Sequence, residues 1–219
     1  MQTKLIEFSA GIAHVLGRNF GWMSWNLFLA FIPLGLSVWL FRINRRRNWT
    51  WWLGFAVFLA FLPNAPYLLT DVIHLIHDIR RVESIWMITL VLLPVYLVVI
   101  LAGFEAYVIS LINWGYYLHR IGKSHWILRV ELITHILCAV GIYWGRFLRF
   151  NSWDFITQPD AVLTTGIEEI VGRQPLVIIG ITFLILTGLH WLMKRVTLGF
   201  IKQPRDNSSV NSRQYSAPK

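Results

Sequence analysis

The feature that most constrains this chain is a series of long stretches almost free of charge. Residues 19–41 carry no charged side chain before Arg42, Arg45, Arg46 and Arg47, and residues 49–70 form a second uncharged run. Residues 85–118 contain one charge, Glu105, and residues 175–193 contain none before Lys194 and Arg195. A fourth apolar stretch, residues 127–150, holds Arg129, Glu131, Arg146 and Arg149 around a short uncharged middle, so its arginines must reach the interface along their alkyl stems. About 20 apolar residues, rising roughly 1.5 Å each, cross the hydrocarbon core of a bilayer. Inside that core every backbone N–H and C=O has to be satisfied within the protein, which leaves helices as the only candidates for segments of this kind. The expectation is an all-α fold, a polytopic membrane bundle of about five transmembrane helices. Pro63-Asn64-Ala65-Pro66 lies in the last third of the second. Two prolines so close remove backbone donors, which predicts that this helix is broken between Pro63 and Pro66.

Composition agrees. The chain of 219 residues is 56% hydrophobic and 14% charged, whereas soluble domains are about 25% charged. Too few polar side chains remain to cover a water-facing surface of this size. The formal net charge of +9 would suit a nucleic-acid ligand, but most basic residues cluster beside apolar segments, where they set orientation. No nucleic-acid partner is expected; the expected surroundings are a lipid bilayer. The single cysteine, Cys138, excludes an intrachain disulfide and any cysteine-based zinc or iron–sulfur site within one chain.

The loops alternate in charge as five spans require. Four arginines follow the first span; Arg80 and Arg81 are outnumbered by Asp71, Asp78 and Glu83; Arg120, Lys123 and Arg129 follow the third. Arg146, Arg149 and Arg173 are outnumbered by Asp154, Asp160, Glu168 and Glu169, and the C-terminal residues are strongly basic. The positive-inside rule then puts the C-terminus in the cytoplasm and the N-terminus outside. Three regions follow. Residues 1–18, with Leu5, Phe8, Ile12 and Val15 at helical spacing and no small-residue cleavage pattern, read as an interfacial helix. Residues 19–198 are the bundle, and the polar residues 199–219 are a disordered cytoplasmic tail.

That topology brings the two most polar neighbourhoods of the chain to the outer face. In one, Tyr67, Asp71, His74 and Asp78 follow steps of four, three and four and share a helix face, with His77 beside it. In the other, Arg146 and Arg149 are one turn apart, followed by Asn151 and Asp154. Two guanidinium groups at a helix end can grip a phosphate or carboxylate; as a scaffold they would instead pair with Asp71, Asp78 or Asp154. Asp71 orienting His74 is an arrangement that could activate a hydroxyl or water, and these are the candidate catalytic residues; the structural alternative makes Asp71 a helix cap. Asn64, Tyr67, Arg146, Arg149, Asn151 and Asp154 are the candidate ligand-binding residues. Asn64 could equally satisfy backbone groups freed by the break, and Asn26 should make an interhelical hydrogen bond. Trp22, Trp25, Trp86 and Trp153 read as an aromatic belt. His74-x-x-His77-Asp78 has the elements of a metal site, but no His-Glu-x-x-His motif occurs, and no metal or cofactor is expected. His135 and His190 lie toward the cytoplasmic side, and so do Glu105 and Glu131, near Arg129 and His135, where a charge-pairing network is the expected role.

Asn26 with Pro33, then Leu-Pro-Asn-Ala-Pro-Tyr-x-x-Thr-Asp-x-x-His from Leu62, then Gly-x-Tyr-x-Gly-Arg-x-x-Arg-x-Asn-Ser-Trp-Asp from Gly141 resemble the bacterial multi-pass membrane proteins grouped as domain of unknown function 1361. The resemblance spans roughly residues 26–198 and implies a plasma-membrane location, but brings no activity or catalytic residue with it. The physical expectation is an outer-face polar pocket of Asp, His and Arg that binds an anionic group carried by a lipid or lipid-linked molecule, as an enzyme or as a binding protein. The alternative is a non-catalytic membrane subunit or small transporter, with a membrane-protein partner and those charges paired for structure.

Overall fold

The computed structural model describes residues 2–44, 46–148 and 173–202, together with Thr157 and Asp160. Every regular element among the described residues is helical. Five helices are long and apolar enough to cross a membrane: Asn19–Ile43, Trp49–Ile79, Ile85–Arg120, Ser124–Leu148 and Arg173–Phe200. The chain is a multi-pass membrane bundle. The first eighteen residues add no separate element, because one helix runs through Gln2–Val38 and ends in a π-turn at Trp39–Ile43. The expected tail is helical as far as Lys202, and its later residues lie outside the described part, as do residues 149–156, 158–159 and 161–172.

The second span is where sequence chemistry shapes the backbone most. Asn48 caps its start by accepting the Trp51 N–H at 3.1 Å, and Trp49–Phe61 is regular. Pro66 has no N–H for the Leu62 carbonyl, so the Ala65 N–H turns to that carbonyl instead, at 3.3 Å. This leaves the Phe61 carbonyl short of its usual donor, and the Asn64 side-chain amide supplies one at 3.0 Å. The helix resumes as Asn64–Tyr67, tightens to a 3-10 turn at Leu68–Asp71 and relaxes to Val72–Ile79. The predicted break is thus a bend with altered pitch, and the backbone stays right-handed throughout.

The bend is held by close packing. A β-carbon added to Gly103 of the third span would stand 2.7 Å from Leu68, and one added to Gly141 of the fourth would stand 2.9 Å from Pro63. The first span packs along the third and the fifth along the fourth, with the bent second span against the first, third and fourth. The third and fourth spans are joined by a tight turn in which Gly122 has φ 74° and the Lys123 N–H reaches the Leu118 carbonyl at 2.8 Å; only glycine adopts this left-handed conformation readily.

The bundle has two unlike ends. At one, which we call the arginine end, Phe41 stacks on Trp114 and meets Phe58 edge-on. The loop cations lie on aromatic faces there, Arg42 over Tyr116 at 3.9 Å and Arg195 over Trp191 at 3.8 Å. Leu97, Val98, Leu184 and Ile185 are exposed midway along their helices, on faces suited to lipid. The opposite end, where the first span begins and the fourth finishes, carries the polar cluster described next.

Candidate functional site

Arg146 lies in a π-turn, Trp144–Leu148, that closes the fourth span. Such turns widen the helical ladder and redirect the side chains they carry, and they occur often at functional positions. From there the guanidinium reaches the bent segment of the second span. Its Nη2 donates to the Thr70 carbonyl at 2.7 Å. Nη1 makes two longer contacts of 3.4 Å, to the Tyr67 hydroxyl and to His74 Nε2, and the guanidinium carbon lies 5.6 Å from the Tyr67 ring centroid. The 3-10 turn exposes the Thr70 carbonyl to this approach, and the Thr70 hydroxyl bonds back to the Tyr67 carbonyl.

Asp71 is the most unusual member of the cluster. It is 1% exposed, and neither carboxylate oxygen has a hydrogen-bond partner among the described residues. Arg146 and the Asn26 amide are the electrostatic neighbours it faces, yet neither reaches it in hydrogen-bonding geometry, and among the described residues it has no ion pair. The capping role weighed from the sequence is not realised: Asp71 precedes Val72–Ile79 without making a side-chain cap. Asn26 faces Asp71 of the second span, but the interhelical hydrogen bond expected of it is not formed in ordinary geometry.

Asp78 lies on the same helix face but belongs to a separate, saturated network. It accepts from the Asn19 amide at 2.5 Å and from the Tyr96 hydroxyl at 2.8 Å, and all three residues are buried. The Trp22 indole donates to the Asn19 side-chain oxygen at 3.3 Å and its ring lies 4.9 Å from that of His74. Trp22 therefore turns inward instead of joining the belt, whereas Trp25 and Trp86 are exposed at this end. His77 is exposed beside the shared face. Asn19 and Tyr96 were not singled out from the sequence; a hydroxyl and an amide inside apolar runs were the available signal.

Tyr67, Asp71, His74 and Arg146 thus come together, and Asn64 stays at the bend in its backbone-satisfying role. Arg149, Asn151, Trp153 and Asp154 lie outside the described residues. No group of three or more His, Cys, Asp or Glu side chains converges as metal ligands would among the described residues. Toward the arginine end, Glu131 pairs with Lys194 of the fifth span and Glu105 accepts from the Thr197 hydroxyl at 2.6 Å. Arg129, the sequence neighbour expected to join them, lies over the Trp126 ring instead.

A family model, described as Protein of unknown function (DUF1361), matches residues 25–187, which include both polar neighbourhoods. No curated protein and no solved structure matches the chain.

Proposed function

This chain belongs to the family of proteins of unknown function whose model it matches, and we propose that it binds an anionic group carried by a lipid or lipid-linked molecule at the Arg146 end of the bundle. The observation that carries this reading is a pair of opposite charges left unjoined. Among the described residues Arg146 is bonded only to neutral groups, while the buried Asp71 has no hydrogen-bond partner. A scaffold of mutually neutralised charges would bring the two into contact, since a buried charge without a partner is costly. An incoming anion would use the planar donor fork of Arg146. Asp71 and His74, one turn apart beside it, would be the groups to accept a proton from a bound hydroxyl or water. By the alternation of loop charges this end faces the extracytoplasmic side of the plasma membrane, with the C-terminus in the cytoplasm.

The test compares the thermal stability of the full-length protein in nanodiscs of phosphatidylglycerol and of phosphatidylcholine, and in the latter with inorganic phosphate added. Stabilisation by the anionic lipid alone, lost in an Arg146→Lys variant that still accumulates, is the expected result. An equal effect of inorganic phosphate would replace the lipid with a free anion. A parent protein indifferent to both anions would sink the proposal. The second reading, a non-catalytic subunit or small transporter, draws on the saturated Asn19–Asp78–Tyr96 network and the exposed apolar face of the fifth span; it would follow from that indifference.

A further inference from the structure

A second polar cluster lies in the seam between the fourth and fifth spans. His135 and His190 are 1% and 3% exposed, and their ring centroids are 4.8 Å apart. The Tyr107 hydroxyl of the third span is 2.6 Å from His135 Nδ1, and Cys138 stands against the same hydroxyl. His190 Nε2 is fully buried without a hydrogen-bond partner among the described residues. Four residues from each histidine, toward the arginine end, Glu131 and Lys194 are ion-paired with side chains 11% and 27% exposed. Glu131 with His135, and His190 with Lys194, therefore form two rungs of a ladder that runs from a partly exposed ion pair to a closed imidazole pair. In the other direction Gly141 packs on Pro63 and Gly103 on Leu68, and Ile142, Leu68 and Phe104 are buried apolar side chains. Cys138 and Arg146 are separated by eight residues, about 12 Å along the helix, so the seam is open to protons from one end and closed toward the other.

The donor count leaves room for one more proton. A phenol donates more readily than it accepts, so Tyr107 gives its hydrogen to His135 Nδ1 and the imidazole's own proton sits on Nε2. That leaves His190 Nε2 buried with nothing donated to it among the described residues. We propose that His135 and His190 together bind a single proton exchanged with the arginine end, and that the charge so created loosens the seam between the fourth and fifth spans. The proton passes from hydronium at the arginine end to the Glu131 carboxylate, leaving water behind, and the carboxylate is restored when the proton moves on to the imidazole pair. The resulting imidazolium faces the Glu131 carboxylate from the fourth span and the Lys194 ammonium from the fifth. Tyr107 and Cys138 are the other titratable groups against it, and Glu105 is held nearby by Thr197. Sharing Glu131 with a second cation weakens its hold on Lys194, and two like charges come to lie one turn apart on the fifth span.

The experiment uses the full chain in nanodiscs, titrated from about pH 7.5 to about pH 3, a range that extends below the interval in which an exposed histidine changes charge. Imidazole nitrogen resonances are followed in parallel with maleimide labelling of Cys138, the lone cysteine. The labelling rate is divided by the rate of the same reagent with free glutathione at each pH, because thiolate declines on acidification. Expected are concerted shifts of the two imidazoles in one step and a several-fold rise in normalised labelling, with His190→Gln abolishing both and His77→Gln, exposed at the other end of the bundle, abolishing neither. Histidines that stay neutral or titrate independently, or a flat labelling rate in the parent protein, would overturn the proposal. So would an undiminished rise in His190→Gln. If that variant does not accumulate, the two readings on the parent protein decide alone.

Discussion

Gly141 meets the Pro63 ring so closely that a β-carbon on the glycine would stand 2.9 Å from Cβ and 3.0 Å from Cγ of the proline. Neither partner is the end of a flexible side chain, so the contact cannot be relieved by a rotamer change. Gly141→Ala should therefore destabilise the bundle by about 1–3 kcal/mol, the usual cost of overpacking. Gly180→Ala, where a β-carbon meets nothing within 4 Å, should be neutral or slightly stabilising, by up to roughly 1 kcal/mol from helix propensity. Thermal unfolding of the two variants in detergent checks the contrast; equal effects would mean that the fourth span does not rest on the bend.

Asp71 should be expendable for folding. Exchanging its carboxyl for an isosteric amide, Asp71→Asn, removes a buried acid with no hydrogen-bond partner among the described residues and should leave the melting temperature unchanged or raised. Anion-dependent stabilisation should change in the same variant if Asp71 belongs to the binding site. A large loss of folded protein would instead place Asp71 among the structural residues.

The Asn19–Asp78–Tyr96 network should behave in the opposite way. Asp78→Ala and Asn19→Ala should each destabilise the protein, by about 1–3 kcal/mol for the polar groups left without partners. The double variant should lose less than the two single losses combined, with a coupling of about 0.5–3 kcal/mol. Strict additivity in a double-mutant cycle would deny the direct contact.

These contrasts mark what could be read from the sequence and what could not. The spans were legible because exclusion of charge over some 20 residues leaves little alternative to a membrane helix. The bend was legible because Pro66 must leave the Leu62 carbonyl without its regular donor. The gathering of Tyr67, Asp71 and His74 followed from helical spacing alone. Three things did not follow. The π-turn that aims Arg146 is a change of local pitch, which the nearby Gly141 and Gly145 do not by themselves specify. Trp22 turning inward depends on which helix lies beside it, and a single-sequence reading assigns an interfacial tryptophan to the lipid. The meeting of His135 with His190 depends on the pairing of the fourth and fifth spans, which hydropathy does not encode.

Orientation gives a further prediction. A reporter that is active only outside the cytoplasm, fused after Lys219, should be silent, and the same reporter fused before Met1 should be active. The reverse pattern would put the Arg146 site on the cytoplasmic face and remove the extracytoplasmic half of the functional proposal.

The π-turn at Trp144–Leu148 has a consequence for how such a protein can change. Each residue advances an α-helix by about 100°, so deleting one position between Gly141 and Arg146 would swing the guanidinium roughly a quarter-turn or more away from Thr70, together with Phe147 and Leu148, while leaving the side chains before the deletion in place. The aim of Arg146 is set by a residue count and not by the identity of its neighbours. A lineage could silence or restore the site through a single codon insertion or deletion, and two relatives with the same arginine need not share the same chemistry.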